Sequence, residues 1–238
     1  MSASDLLLVT VLVAGASCIQ GAAGFGMGLV VAPLLTLIDR SFAPAPVILA
    51  VLPLTLLVAF RDGAHLDRRG LGWAIGGRLP GAVLGAAAVA ALSQHALALF
   101  LGLAVLAAVA VSLVKPHVRP TRGALVSAGF ASGFMGTTTS IGGPPIALVY
   151  QGSNGPTFRS TLATYFAFGA AISLITLAVA GQLGAHELRL GALLWPGVAI
   201  GFLLSRPLTR VLDDGWTRPM VLSISALSAL VLIGQELL

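Results

Sequence analysis

The stretch Gln20-Gly21-Ala22-Ala23-Gly24-Phe25-Gly26-Met27-Gly28 interrupts an apolar run that extends from Leu6 to Ile38. A straight helix of that run would reach about 50 Å, against a bilayer hydrocarbon core of about 30 Å. One span cannot contain it. Glycines this closely spaced open the helix ladder and free backbone N–H and C=O groups. Such backbone survives at membrane depth only where protein covers it or where it lines a cavity. The stretch therefore predicts a re-entrant hairpin: two half-helices that enter and leave on the same side, with the break at the tip.

The rest of the chain supports a membrane setting. Of 238 residues 57% are hydrophobic and only 9% charged. A soluble domain is nearer a quarter charged, and this chain has too few ionisable groups to cover a solvated surface. The composition excludes a soluble enzyme, a disordered chain and a disulfide scaffold, the last because Cys18 is the single cysteine. Gly15-Ala16-Ser17-Cys18 lacks the large aliphatic residue of a lipoprotein cleavage box, so the first segment is expected to stay as a membrane element. The net charge of +5 comes from basic residues in short loops, which is an orientation signal and not a nucleic-acid patch.

A second interrupted run, Ala124–Tyr150, contains Gly136-Thr137-Thr138-Thr139-Ser140-Ile141-Gly142-Gly143-Pro144-Pro145. The two interruptions share one sequence offset with a second match, Pro80-Gly81-Ala82-Val83-Leu84-Gly85 against Pro196-Gly197-Val198-Ala199-Ile200-Gly201. Between and after the interruptions lie six ordinary apolar runs: Ala43–Phe60, Leu71–Leu92, Ala96–Val114, Thr161–Ala180, Leu188–Leu204 and Pro219–Leu237. The expected fold is an all-α polytopic membrane protein, a single transporter domain over residues 1–238. It has two inverted repeats, 1–116 and 122–238, each a broken re-entrant segment followed by three transmembrane helices.

Positive charges test that arrangement. If both broken segments are hairpins and the other six cross, Arg61, Arg68, Arg69, Lys115, Arg119, Arg122, Arg159, Arg206, Arg210 and Arg218 share one side. Arg40 and Arg189 face the other, a ratio of ten to two. Positive loops mark the cytoplasm. Eight crossings give a poorer split, while a seven-crossing variant, in which the first segment crosses and only the second returns, scores equally well. Symmetry between the halves favours treating both segments alike.

The interruptions are also where chemistry is expected. In inverted halves the hairpins enter from opposite faces and their tips meet near the midplane. Helix N-termini aimed there bind an anion through free N–H groups and the positive end of the helix dipole. The expected anion site takes Gly24, Phe25 and Gly26 from the first break and Gly142 and Gly143 from the second. Thr138, Thr139 and Ser140 would add hydroxyl donors, and Gln20 and Gln151 amide donors. The alternative for such small residues is close helix packing, and for Gly81/Gly85, Gly129/Gly133 and Gly197/Gly201 that is the preferred reading. Arg78 is the one basic residue well inside a span, with two readings open: attraction of an anionic substrate, or snorkelling to the headgroups beside Arg68 and Arg69.

Other chemistries find no support. All eight acidic residues fall at segment ends or in loops, and so do the four histidines, which argues against a proton relay and a metal centre. No phosphate loop or nucleophile elbow is present, and Gly24-Phe25-Gly26-Met27-Gly28 follows no strand, so it is not a dinucleotide fingerprint. The chain is expected not to be an enzyme and to need no cofactor.

The motif Gly21-x-x-Gly24-Phe25-Gly26-Met27-Gly28-x-x-x-x-Pro33, with Gly133-x-x-Gly136 and Ile141-Gly142-Gly143-Pro144-Pro145 in the second half, resembles the TauE/SafE family of sulfite and organosulfonate exporters. The spacing of the spans and the duplication match as well, so the resemblance covers the whole chain. It implies a multi-pass protein of a bacterial inner membrane that moves small sulfur oxyanions and sulfonates such as sulfoacetate outward. Thr137-Thr138-Thr139-Ser140 departs from the more glycine-rich stretch of many members and bears on which anion is carried. The expected partners are the small anion and the lipid bilayer, with a homodimer left open and no nucleic acid. The rival from another class is an anion channel with a backbone-lined filter.

Overall fold

The computed structural model describes residues 3–114, 118–212 and 217–237, with side chains described except at 3, 64, 114, 206–212 and 217–221. Lys115, His117, Asp213 and Asp214 lie outside the described residues, as do the side chains of Arg206, Arg210 and Arg218. The described residues are helical throughout, without strands: α1 Ala3–Ala23, α2 Met27–Ile38, α3 Ala45–Asp62, α4 Arg68–Ala91, α5 Gln94–Val114, α6 Arg122–Thr139, α7 Gly143–Tyr150, α8 Gly155–Val179, α9 Ala185–Leu212 and α10 Thr217–Leu237.

Each apolar run becomes a helix, and polar residues in the turns set the starts. Asp67 accepts from Gly70 N at 3.0 Å, Thr121 from Ala124 N at 3.2 Å and Asn154 from Thr157 N at 2.9 Å, each satisfying a first-turn N–H with no intrahelical acceptor. Large apolar side chains such as Phe60, Val179 and Leu203 point outward and are largely exposed, as a lipid-facing surface requires. Among the described residues six helices are long and apolar enough to cross a membrane: α1, α3, α4, α5, α8 and α9. α1 joins five of the expected spans, and the sixth, Pro219–Leu237, lies partly outside the residues with described side chains.

The two broken segments are not pairs of equal half-helices. α1 has 21 residues and α6 has 18, so each first arm is about as long as the bilayer core is thick. The returning arms are short, 12 residues in α2 and 8 in α7. Nor does the second break cover Gly136–Pro145. Thr137, Thr138 and Thr139 continue α6, and the chain leaves the helix only at Ser140-Ile141-Gly142.

Glycine contacts show how the arms are held. Added Cβ atoms on Gly77, Gly81 and Gly85 of α4 would strike the carbonyls of Val126, Phe130 and Phe134 on α6 in turn, and those on Gly129 and Gly133 would strike Ala74 and Arg78. Residue numbers rise together, so α4 and α6 run side by side in one direction at backbone contact. Gly197 and Gly201 of α9 meet Thr10 and Ala14 of α1 in the same way. Each long arm thus lies on the second intact helix of the other half, while α3 packs on α8 and α5 on α10. The pairing is reciprocal under exchange of the halves.

Candidate functional site

Both breaks are imposed by backbone conformation. Gly24 and Gly26 have φ of 87° and 123°, and Ser140 sits in the left-handed region at φ 64°. A side chain at Gly26 would meet only Ile19, at 3.8 Å, so glycine is needed there for its dihedral and not for space. At Gly28 the requirement is spatial: a Cβ would stand 2.2 Å from the Ser140 carbonyl oxygen. Gly28 is therefore where the two breaks touch.

The short arms place this meeting point in depth. α7 runs about 12 Å from Gly143 to Tyr150, whose hydroxyl donates to Asp67 at 3.0 Å, next to Arg68. α2 runs about 18 Å from Met27 to Ile38, beside Arg40, which pairs with Glu236 at 2.7 Å. These ends are opposite: α3 starts beside Arg40 and finishes at Arg61, whose guanidinium donates to the Gly21 carbonyl at the far end of α1. The two arms together span about 30 Å, the thickness of the hydrocarbon core.

Between the breaks lies a recess with about 340 Å³ of empty space, part of it continuous with solvent. Gln20, Phe25, Gly26 and Gly28 line it from the first segment, Ser140, Gly142 and Gly143 from the second, with Phe166 of α8 closing one wall. Both short helices begin here. Gln20 Oε1 accepts from Met27 N at 3.0 Å, and Val30 N bonds the Gly26 carbonyl at 3.4 Å. The N–H groups of Gly28 and Leu29 have no acceptor among the described residues, nor do those of Gly142 and Gly143. Pro144 and Pro145 supply no N–H, so the first turn of α7 offers the N–H of Gly143, next to that of the capping Gly142. Gln20 is 4% exposed, and its Nε2 has no hydrogen-bond partner. A buried amide donor without a partner is costly, and a ligand acceptor at the recess would satisfy it.

The sequence-derived residues divide. Gln20, Phe25, Gly26, Ser140, Gly142 and Gly143 come together at the recess. Gly24 turns away and packs on Arg159, 3.2 Å from its Cα to an added Cβ. The expected hydroxyl donors are otherwise engaged: Thr138 and Thr139 bond the carbonyls of Phe134 and Met135 one turn back, and Ser140 donates to the Pro44 carbonyl at 2.9 Å. Helical Thr residues satisfy their hydroxyls locally, which is what continuing α6 through Thr139 allows. Gln151 follows the C-terminal end of α7, exposed and a full helix length from the recess.

Arg78 does not snorkel. It is 3% exposed, and its terminal nitrogens donate to Ser132 at 3.0 Å, Tyr165 at 3.3 Å and Ser173 at 3.3 Å. Its guanidinium also lies 5.1 Å from the Tyr165 ring centroid. Ser132 in turn donates to the Gly142 carbonyl, so Arg78 is tied through one hydroxyl to the second break. Gly169 makes room for it, since a Cβ there would lie 2.4 Å from Arg78 Cζ. Sequence reasoning missed Gly28, Ser132, Gly169, Tyr165 and Ser173. Only Gly28, as the last glycine of the alternating motif, carried a local signal.

A model of the sulfite exporter TauE/SafE family matches residues 7–232. No curated protein and no solved structure matches the chain. The match takes in both breaks, both short arms and the helices that hold them. The chain belongs to the sulfite exporter TauE/SafE family, whose members are membrane transporters of sulfur-containing anions.

Proposed function

We propose that the chain is a carrier that exports small sulfur oxyanions or organosulfonates across a bacterial inner membrane, holding the anion in the recess between the two breaks. One observation carries this reading: two helix N-termini with unsatisfied N–H groups converge on one recess beside the free Nε2 of Gln20. A sulfonate or sulfite head has three acceptor oxygens around sulfur. Convergent neutral donors match it, each charge-assisted bond contributing about 1.5–3 kcal/mol. Phe25, Leu29 and Phe166 form an apolar wall for the rest of the ligand. An inside-negative potential favours outward movement by about 2.3 kcal/mol per charge per 100 mV.

The reciprocal pairing of the halves supports reading residues 1–116 and 122–238 as inverted repeats, which lets the two short arms approach the site from opposite faces. The N–H donors of the recess would serve an anion channel as well as a carrier, so transport kinetics separate the two. Proteoliposomes loaded with sulfite or methanesulfonate test the reading. A carrier gives saturable efflux that is accelerated by the same anion on the far side. Flux linear in concentration without that acceleration would mean a channel, and no flux of either anion would reject the anion reading.

A further inference from the structure

The charge count of the site points to the class of anion it takes, and this deepens the reading above and rests on it. Among the described residues Arg78 and Glu236 are the acidic or basic side chains below a tenth exposure, and Glu236 is spent on Arg40 and His95 at 2.7 and 2.6 Å. Arg78 has no ion pair among the described residues. Its hydrogen bonds all go to neutral hydroxyls, and its Nε has no partner at all. Arginine stays charged in proteins, and a buried charge without a counter-charge is strongly disfavoured. The protein leaves one positive charge unmatched here.

That charge stands directly behind the recess. Arg78 Nη1 lies 3.3 Å, and Nη2 3.1 Å, from where Cβ atoms on Gly142 and Gly136 would stand, and Gly142 lines the recess. The guanidinium is thus separated from a ligand by the thickness of the second break, without touching it. Ser132, which accepts from Arg78 and donates to the Gly142 carbonyl, directs that carbonyl to α6 and leaves the N–H side of the break for the ligand.

We propose that Arg78 is the single counter-charge of the transported ligand, so that the site is matched to anions of charge −1. With a monoanion bound, the buried site is neutral. The cost of desolvating an ion rises with the square of its charge, whereas attraction to one guanidinium rises only in proportion to it. A dianion therefore brings an uncompensated charge into the low-dielectric interior, and a neutral ligand leaves Arg78 unmatched. The class selected is hydrogensulfite and monoanionic sulfonates, against sulfate and fully deprotonated sulfite.

Calorimetry on the purified full-length protein tests this with three tetrahedral probes: methanesulfonate, sulfate and neutral methanesulfonamide. Methanesulfonate is expected to bind at least tenfold tighter than either of the others. Arg78→Gln should lose at least tenfold for methanesulfonate and leave methanesulfonamide unchanged, while Arg78→Lys, which keeps the charge but loses the fork that bonds Ser132, Tyr165 and Ser173, should bind methanesulfonate more tightly than Arg78→Gln. If Arg78→Gln does not fold, wild type alone decides: sulfite should bind tighter as the pH falls through neutrality and it gains a proton. Sulfate binding as well as methanesulfonate, equal weakening of the charged and neutral probes in Arg78→Gln, or sulfite binding that ignores pH would each overturn the charge matching alone. No binding of any probe by wild type would overturn the anion site itself.

Discussion

Gln20→Glu separates the two tasks of one side chain. In the wild type Oε1 accepts from Met27 N at 3.0 Å and caps the start of α2, while Nε2 is buried without a partner at the recess. A carboxylate keeps the acceptor and the shape but turns the free donor into a second acceptor with a negative charge. Loss of the donor removes about 1.5–3 kcal/mol of binding. Repulsion between the new charge and an anion about 4 Å away adds about 4 kcal/mol at an effective dielectric constant near 20. The sum, about 5.5–7 kcal/mol, corresponds to a loss of about ten-thousandfold or more in affinity, since about 1.4 kcal/mol is tenfold. The fold should survive, because the cap acceptor remains and anionic side chains suit helix N-termini. Titration calorimetry with methanesulfonate near neutral pH should show no binding, with the melting temperature of the unliganded protein within a few degrees of wild type. Acidification that protonates the new carboxyl should restore part of the affinity. Binding within about threefold of wild type at neutral pH would refute the role assigned to Gln20.

Gly28→Ala should push the breaks apart by about 1 Å, costing about 1–3 kcal/mol of stability and weakening methanesulfonate binding at least tenfold, read by thermal unfolding and calorimetry. Gly169→Ala displaces the Arg78 guanidinium and should weaken methanesulfonate binding, read by calorimetry. Glu236→Gln breaks the pairs with Arg40 and His95, whose side chains are half exposed; stability should fall by about 1 kcal/mol with flux in proteoliposomes unchanged, and loss of flux would show that this carboxylate takes part in coupling. A cysteine at the exposed Gly63, where a side chain meets nothing within 4 Å, should be protected from impermeant label in intact cells and one at Ser41 modified, and the reverse would invert the assigned orientation.

Much of this was legible from residues alone. A run too long for one span, broken by alternating glycines, forces a helix–break–helix, and its repetition at a fixed offset placed the second break. Arm lengths were not legible. Whether Thr137–Thr139 belong to the break or to the helix depends on local hydroxyl-to-carbonyl bonds, and these three took the helix. That choice removed Thr138 and Thr139 as donors and moved the break to Ser140–Gly142. Gln151 was misplaced because a count of residues past the break does not show that α7 carries the chain away for eight residues. Arg78 announced itself as a charge among apolar residues, but its partners Ser132, Tyr165 and Ser173 come from two other helices and share no local pattern. Glu236 read as a terminal acid, yet the packing of α10 on α5 buries its side chain against His95.

The most direct test is to locate a bound anion. Crystals grown with 2-bromoethanesulfonate, whose bromine gives an anomalous signal, should show the sulfonate within hydrogen-bond reach of Gln20 Nε2 and the N–H groups of Gly28, Leu29 and Gly143, with the bromoethyl group against Phe25 and Phe166. A sulfonate bound instead beside Arg40 at the outer end of α2, with the recess between the breaks empty, would contradict the assignment.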